Sequence, residues 1–208
     1  MIITNIKRKG KSETYYVYVD DEYYALIEAE FIYKNHLKIG TQIEEQKLKQ
    51  IKIESDKLLC SGVALNYISK SLKSEFQLKN YLKSKKFDMD AINETVQKLK
   101  GYGYLNDEYY ATSLAKEMSK SKGKRFIKNS LMQKGVQACK IEGVLQEIDN
   151  EDETCFNVAQ KWLRGKVQPL DLNGKQKLYR FLMARGFSHE TVKSALYKLN
   201  EEINDDRY

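Results

Sequence analysis

Proline is nearly missing from this 208-residue sequence, which has one, Pro169. Proline breaks helix interiors, so its scarcity leaves helix possible almost everywhere. Cysteine is sparse as well. Cys60, Cys139 and Cys155 are odd in number and far apart, which argues against a disulfide framework and for buried thiols in a reducing cytoplasm. The two histidines, His36 and His189, have no cysteine near them at metal-ligand spacing, so no metal site is expected. No apolar run approaches the ~20 residues of a membrane span, and the N-terminus lacks the basic-then-apolar layout of a signal peptide. No Gly-x4-Gly-Lys-Ser/Thr loop is present, and Gly101-x-Gly103 follows a helix rather than a strand, without a third glycine at fingerprint distance. The acidic run Asp149 to Glu153 reads as a solvated linker rather than a cation site. These absences exclude the common enzyme layouts. The expectation is a cytoplasmic, non-enzymatic monomer without cofactor or membrane contact.

Positive charge is what the chain has in excess. Lysine and arginine number 36 against 29 acidic residues, a net +7. Residues 1–57 and 149–208 are each balanced at ten against ten, whereas residues 58–148 hold 16 basic and nine acidic side chains. Within that section, Lys116 to Lys134 holds seven basic residues and one acidic. Such a focus suits a polyanion or an acidic protein surface.

That segment is one copy of a repeat. Leu78, Leu82, Phe87, Ile92, Val96 and Leu99 are spaced by 4, 5, 5, 4 and 3 residues. The same steps give Ile127, Leu131, Val136, Ile141, Leu145 and Ile148, and again Leu178, Leu182, Phe187, Val192, Leu196 and Leu199. In a chain that is 41% hydrophobic, 18 chance matches would arise about once in ten million trials. The offsets leave room for three helices per unit.

The fold class expected is mainly α: a tandem array of three three-helix repeats, elongated and curved, behind a small β-rich N-terminal module. The boundaries are 1–57 for the module, 58–106, 107–149 and 150–208 for the repeats. In the module, residues 2–9 and 14–28 read as strands, with Asp20-Asp21-Glu22 as a hairpin turn and the tyrosines 15, 16, 18, 23 and 24 as sheet packing rather than base stacking. A helix near Ala29–His36 ends before Gly40, and Thr41 with Glu44 forms a capping box for the next, whose buried side holds Ile43, Leu48, Ile51 and Leu58.

In repeat 1, Ala64, Leu65 and Ile68 line the first helix, the second runs from Ser74 to Lys85, and Asp88 caps the third, which Gly101 and Gly103 end in left-handed geometry. In repeat 2, Tyr109, Tyr110, Ala111, Leu114 and Ala115 share a face, Gly123 opens the second helix and Gly135 ends it, as Gly186 does in repeat 3. Repeat 1 has Lys86 at that place, costing roughly 1 kcal/mol if the backbone there is left-handed. Repeat 3 places Phe156, Ala159, Trp162 and Leu163 inward, follows with an irregular connection from Pro169 to Gly174, and ends in a frayed tail from Glu201.

With Ile127 and Leu131 inward at 100° per residue, Lys122, Arg125 and Asn129 point away from the core, flanked by Lys128 and Met132. The matching strip of repeat 1 is Phe76, Lys79, Asn80 and Lys83, and that of repeat 3 is Gln176, Tyr179, Arg180 and Met183. Gly123-Lys124-Arg125 also stands at a helix start, whose free N–H groups attract anions. The candidate contact residues are Lys79, Lys83, Lys122, Lys124, Arg125, Lys128 and Lys134.

Several stretches resemble one family. Leu99-Lys-Gly-Tyr-Gly-Tyr104-Leu105-Asn106-Asp107-Glu-Tyr-Tyr110-Ala111 is similar to the "GYLDD…FA" junction of RecX regulatory proteins. Gly123-Lys-Arg-x-Ile127-x3-Leu131-x2-Lys134-Gly135-Val136 resembles the family's second repeat, and Ala64-Leu65-x-Tyr67 with Ser74-Glu75-x2-Leu78-x3-Leu82 its first. The family's "R-x-R-S" is Ser71-Leu-Lys73-Ser74 here and its Lys-Gly is Lys85-Lys86; lysine lacks the bidentate geometry of arginine. The resemblance implies a regulator that binds the filament of the RecA recombinase on single-stranded DNA and suppresses ATP hydrolysis and strand exchange in DNA repair and recombination. Direct contact with single-stranded or duplex DNA would be weak and salt-dependent. A helix-turn-helix-like DNA-binding protein and a helical-repeat scaffold for proteins are the alternatives.

Overall fold

The computed structural model describes residues 1–164 and 171–205. The chain divides into two compact units, Met1–Leu105 and Asn106–Tyr208. The first opens with three antiparallel strands, β1 (Ile3–Arg8), β2 (Thr14–Val19) and β3 (Glu22–Glu28), paired in that order. Asp20 and Asp21 both take positive φ, 48° and 65°, the geometry a two-residue hairpin needs to follow strand twist. Short polar groups hold this turn: Asp20 accepts the Ile2 N–H at 2.9 Å, and the Thr4 hydroxyl accepts the Asp21 N–H at 3.0 Å.

Alternation divides the sheet. Val17, Val19, Ala25 and Ile27 face a core shared with α1 (Ala29–Lys34) and the first half of α2 (Glu45–Ile68), with Tyr15 and Tyr24 packed against it. Tyr16 and Tyr18 lie half-buried on the other face and pack edge-on against Tyr23, so the tyrosines pack within the sheet on both faces. Helix α2 is 24 residues long and runs through residues 57 and 58 without a break. Its Leu48 and Ile51 belong to the sheet core, and its Cys60 and Ala64 to repeat 1. The buried Ser55 hydroxyl accepts the Glu28 N–H at 2.8 Å, fastening the end of β3 to the middle of this helix.

The expected capping box is absent. Glu44 is the N-cap of α2 without a side-chain bond, and the Thr41 hydroxyl accepts from the Lys38 N–H instead. Leu58 and Leu65 of α2 point outward, as does Tyr109 in the next repeat, while Cys60, Ala64, Tyr110 and Ala111 are buried.

Each repeat has its own core. Repeat 1 packs α2 with α3 (Glu75–Ser84) and α4 (Met89–Gly101); repeat 2 packs α5 (Asp107–Met118), α6 (Lys124–Gln133) and α7 (Ala138–Gln146); repeat 3 packs α8 (Glu151–Leu163), α9 (Leu172–Ala184) and α10 (His189–Asp205). Of the 18 repeating apolar positions, 15 are buried; Phe87, Leu145 and Leu196 are half-buried.

The two steps of five have a physical cause. Helices α3, α6 and α9 each end with a left-handed residue, Lys86 (φ 64°), Gly135 (76°) and Gly186 (86°). The next residue then donates back to the last inward leucine, Phe87 to the Leu82 carbonyl, Val136 to Leu131 and Phe187 to Leu182. This is the Schellman closure, which pairs those two side chains across the turn. The same Phe87, Val136 or Phe187 precedes the N-cap of the following helix and packs towards its fourth residue, Ile92, Ile141 or Val192, as a hydrophobic staple. One side chain therefore closes one helix and opens the next.

Smaller departures follow. Asp88 caps α4 as expected, but Gly101 is the last helical residue and only Gly103 takes positive φ. Gly174 lies inside α9, its N–H bonded to the N-cap Asp171, while Pro169 lies outside the described residues. The backbone from Glu201 to Asp205 continues α10 rather than fraying. Among the described residues no helix is long and apolar enough to cross a membrane.

Candidate partner-binding surface

On α6 the buried Ile127 and Leu131 leave Arg125, Lys128 and Asn129 exposed on the outer side. Among the described residues neither Arg125 nor Lys128 enters an ion pair, so their charge is available. Lys122, in the turn before α6, is half-buried and sits 4.6 Å from the centre of the Phe126 ring. A cation over a ring face is held by the ring quadrupole, which fixes the ammonium without neutralising it. Lys134 is half-buried at the C-cap. The repeat 1 strip is less basic than its sequence: Lys79 pairs with Glu75 at 2.6 Å, and Lys100 takes the other oxygen of that carboxylate at 3.0 Å. The Lys79 hydrogen bond, followed by Lys100, holds the Glu75 carboxyl below its ordinary range. Lys83 remains exposed. In repeat 3, Tyr179 and Met183 pack against the core instead of pointing outward.

The start of α6 is not a free anion site. Its N–H groups are taken by repeat 3: Gly123 donates to the Arg185 carbonyl at 3.0 Å, Arg125 to the Gly186 carbonyl at 3.3 Å, and Lys124 to the Glu151 carboxylate at 2.8 Å. The first turn of α6 has no acidic residue, so Glu151 supplies from another repeat the negative charge that a helix N-terminus favours. The contact is tight because both partners are glycine. A Cβ on Gly123 would lie 2.5 Å from the Gly186 carbonyl carbon, and one on Gly186 would lie 2.5 Å from the Phe126 Cβ.

This joint adds a basic residue that local spacing misses. Arg185 is 62 positions from Gly123 in sequence but is hydrogen-bonded to it, and its guanidinium stacks 3.9 Å from the Phe181 ring centre. The basic side chains of α6 and the turn before it are Lys122, Arg125 and Lys128, and the Arg185 backbone is joined to the start of that helix. The only hint in the sequence is that a glycine opens α6 and another ends α9.

The three-helix units have counterparts among known proteins. Family profiles described as the first and the third three-helix domain of RecX match residues 62–99 and 149–196. The Regulatory protein RecX of Clostridium botulinum (strain Eklund 17B / Type B) is 35% identical over 97% of this chain and 95% of its own length. The chain belongs to the RecX family. A crystal structure of a regulatory protein RecX shares the fold, with a TM-score of 0.64 at 22% identity over 92% of this chain and 97% of its own. The crystal structure of RecX from Lactobacillus salivarius gives a TM-score of 0.62 at 26% identity, covering 70% of this chain and 97% of that one. The RecX resemblance and the mainly helical fold read from the sequence both stand.

Proposed function

We propose that this RecX-family chain is a binding regulator of the RecA recombinase that engages the RecA–single-stranded-DNA filament and restrains its ATPase and strand exchange, without catalysing a reaction itself. The observation that carries the reading is the match along nearly the whole chain to proteins named Regulatory protein RecX. The uncompensated charge of Arg125 and Lys128, with Lys122 braced by Phe126, supports contact with acidic protein surface or phosphate.

The test is inhibition of RecA's DNA-dependent ATPase at well below one chain per RecA subunit. Reversing Lys122, Arg125 and Lys128 to glutamate together should abolish most of that inhibition at unchanged melting temperature. A chain that alters neither preformed filaments nor their assembly would end the reading. Preference for one defined duplex sequence over random duplex would favour the helix-turn-helix alternative instead.

A further inference from the structure

Within the first unit, the edge strand β3 and the residues flanking the β1–β2 turn form one wall of a cavity of about 710 Å³. The flank of α2 and the end of α3 form the others. Lys9, Lys52, Lys85 and Lys86 line it, with Asp56 as the acidic counterpart. Asp56 is paired with Lys52 at 3.3 Å, which leaves Lys9, Lys85 and Lys86 uncompensated among the described residues. The aromatic lining is equally marked. Tyr23 is 56% exposed, and its ring is held edge-on by Tyr16 and Tyr18 at 6.1 and 5.9 Å. Tyr81, also in the lining, is stacked on Tyr67 with 3.9 Å between ring centres, and the Lys85 ammonium lies 5.5 Å from the Tyr81 ring centre. Lys9 sits 5.9 Å from the Tyr16 ring.

We propose that this cavity binds a single-stranded nucleic-acid segment, with bases on Tyr23 and its neighbours and phosphates on Lys9, Lys85 and Lys86. Aromatic and basic groups lining one cavity are what an unpaired strand needs, since bases inside a duplex have no free face to stack. An acidic peptide would use the lysines and leave the rings idle. The site is distinct from the outer face of α6, and the proposal rests on the nucleic-acid side of the filament reading. It deepens that reading by assigning the strand to the N-terminal unit.

The test is fluorescence anisotropy of a labelled 20-residue oligothymidylate with the full chain at several salt concentrations, with no recombinase present. Lys86→Gly is the decisive variant. Lys86 is in left-handed backbone (φ 64°), so glycine removes the charge and relieves the conformation together. Affinity should fall about threefold and the salt slope by about 0.7, while the melting temperature rises. Tyr23→Ala should weaken binding about tenfold, and Tyr23→Phe, which keeps the ring, should retain it. Affinity indifferent to Lys86→Gly and Tyr23→Ala, equal affinity for a duplex, or preference for a polyglutamate peptide would each overturn the proposal. Because RecA is absent, failure here is separate from failure to inhibit the filament ATPase.

Discussion

Helices α3 and α6 fill the same slot in successive repeats, yet their N-termini are secured by opposite means. Helix α3 is closed by its own sequence: Ser74 accepts the Gln77 N–H and Gln77 returns the bond to the Ser74 N–H, with Glu75 in the first turn. Helix α6 has a glycine cap, two basic residues where acidic ones are favoured, and donors satisfied from α8 and the end of α9. The start of α3 is therefore capped by its own residues, whereas the basic start of α6 draws its capping groups from repeat 3. A helix start crowded with positive charge is tolerable because the neighbouring repeat covers it.

The harshest way to break this contrast is at the glycine joint. Gly186→Ala combines positive φ with a clash against Phe126 and should cost about 3 kcal/mol, read as a lowered urea midpoint. Gly103→Ala has a similar φ but open space around it, and should cost only about 1 kcal/mol. If the two cost the same, the joint is not tight. Ser74→Ala tests the self-contained end and should cost about 1 kcal/mol. Lys86→Gly works in the other direction and should add about 1 kcal/mol, bringing repeat 1 into line with Gly135 and Gly186.

The smallest effect concerns charge. The Glu75 carboxyl is held low by Lys79 and Lys100, so its folded form releases its proton more readily than its unfolded form. Its stabilisation is present above the ordinary carboxylate range and is lost as pH falls through the depressed value. Glu75→Gln should cost about 0.5 kcal/mol near neutral pH and nothing at the acid end, in paired melts across pH.

What could be read from the sequence was what neighbours along the chain decide. The apolar steps located the three cores, and the equivalence of Lys86 with Gly135 and Gly186 anticipated its left-handed backbone. Helix α2 was split because its second half carries the repeat signature while its first half answers to the sheet. The α6 start reads as open for a related reason: a free helix terminus and one covered by a segment about 60 residues away have the same local sequence. The bond from the Gly123 N–H to the Arg185 carbonyl is invisible in the sequence for the same reason. The tyrosines pack within the sheet as their strand propensity predicts, though propensity does not say which face each one joins.

Helix α2 also has a consequence for how the family's N-terminal module can vary. Because one unbroken rod carries both the sheet core and repeat 1, adding a residue near Asp56 would swing the sheet by ~100° and move it ~1.5 Å. Tyr23 and Tyr81 would then no longer line one cavity. Seven added residues would bring the phase back to within ~20° but lift the sheet by ~10.5 Å, still separating the walls. The spacer between these parts therefore tolerates substitution far better than any change in length.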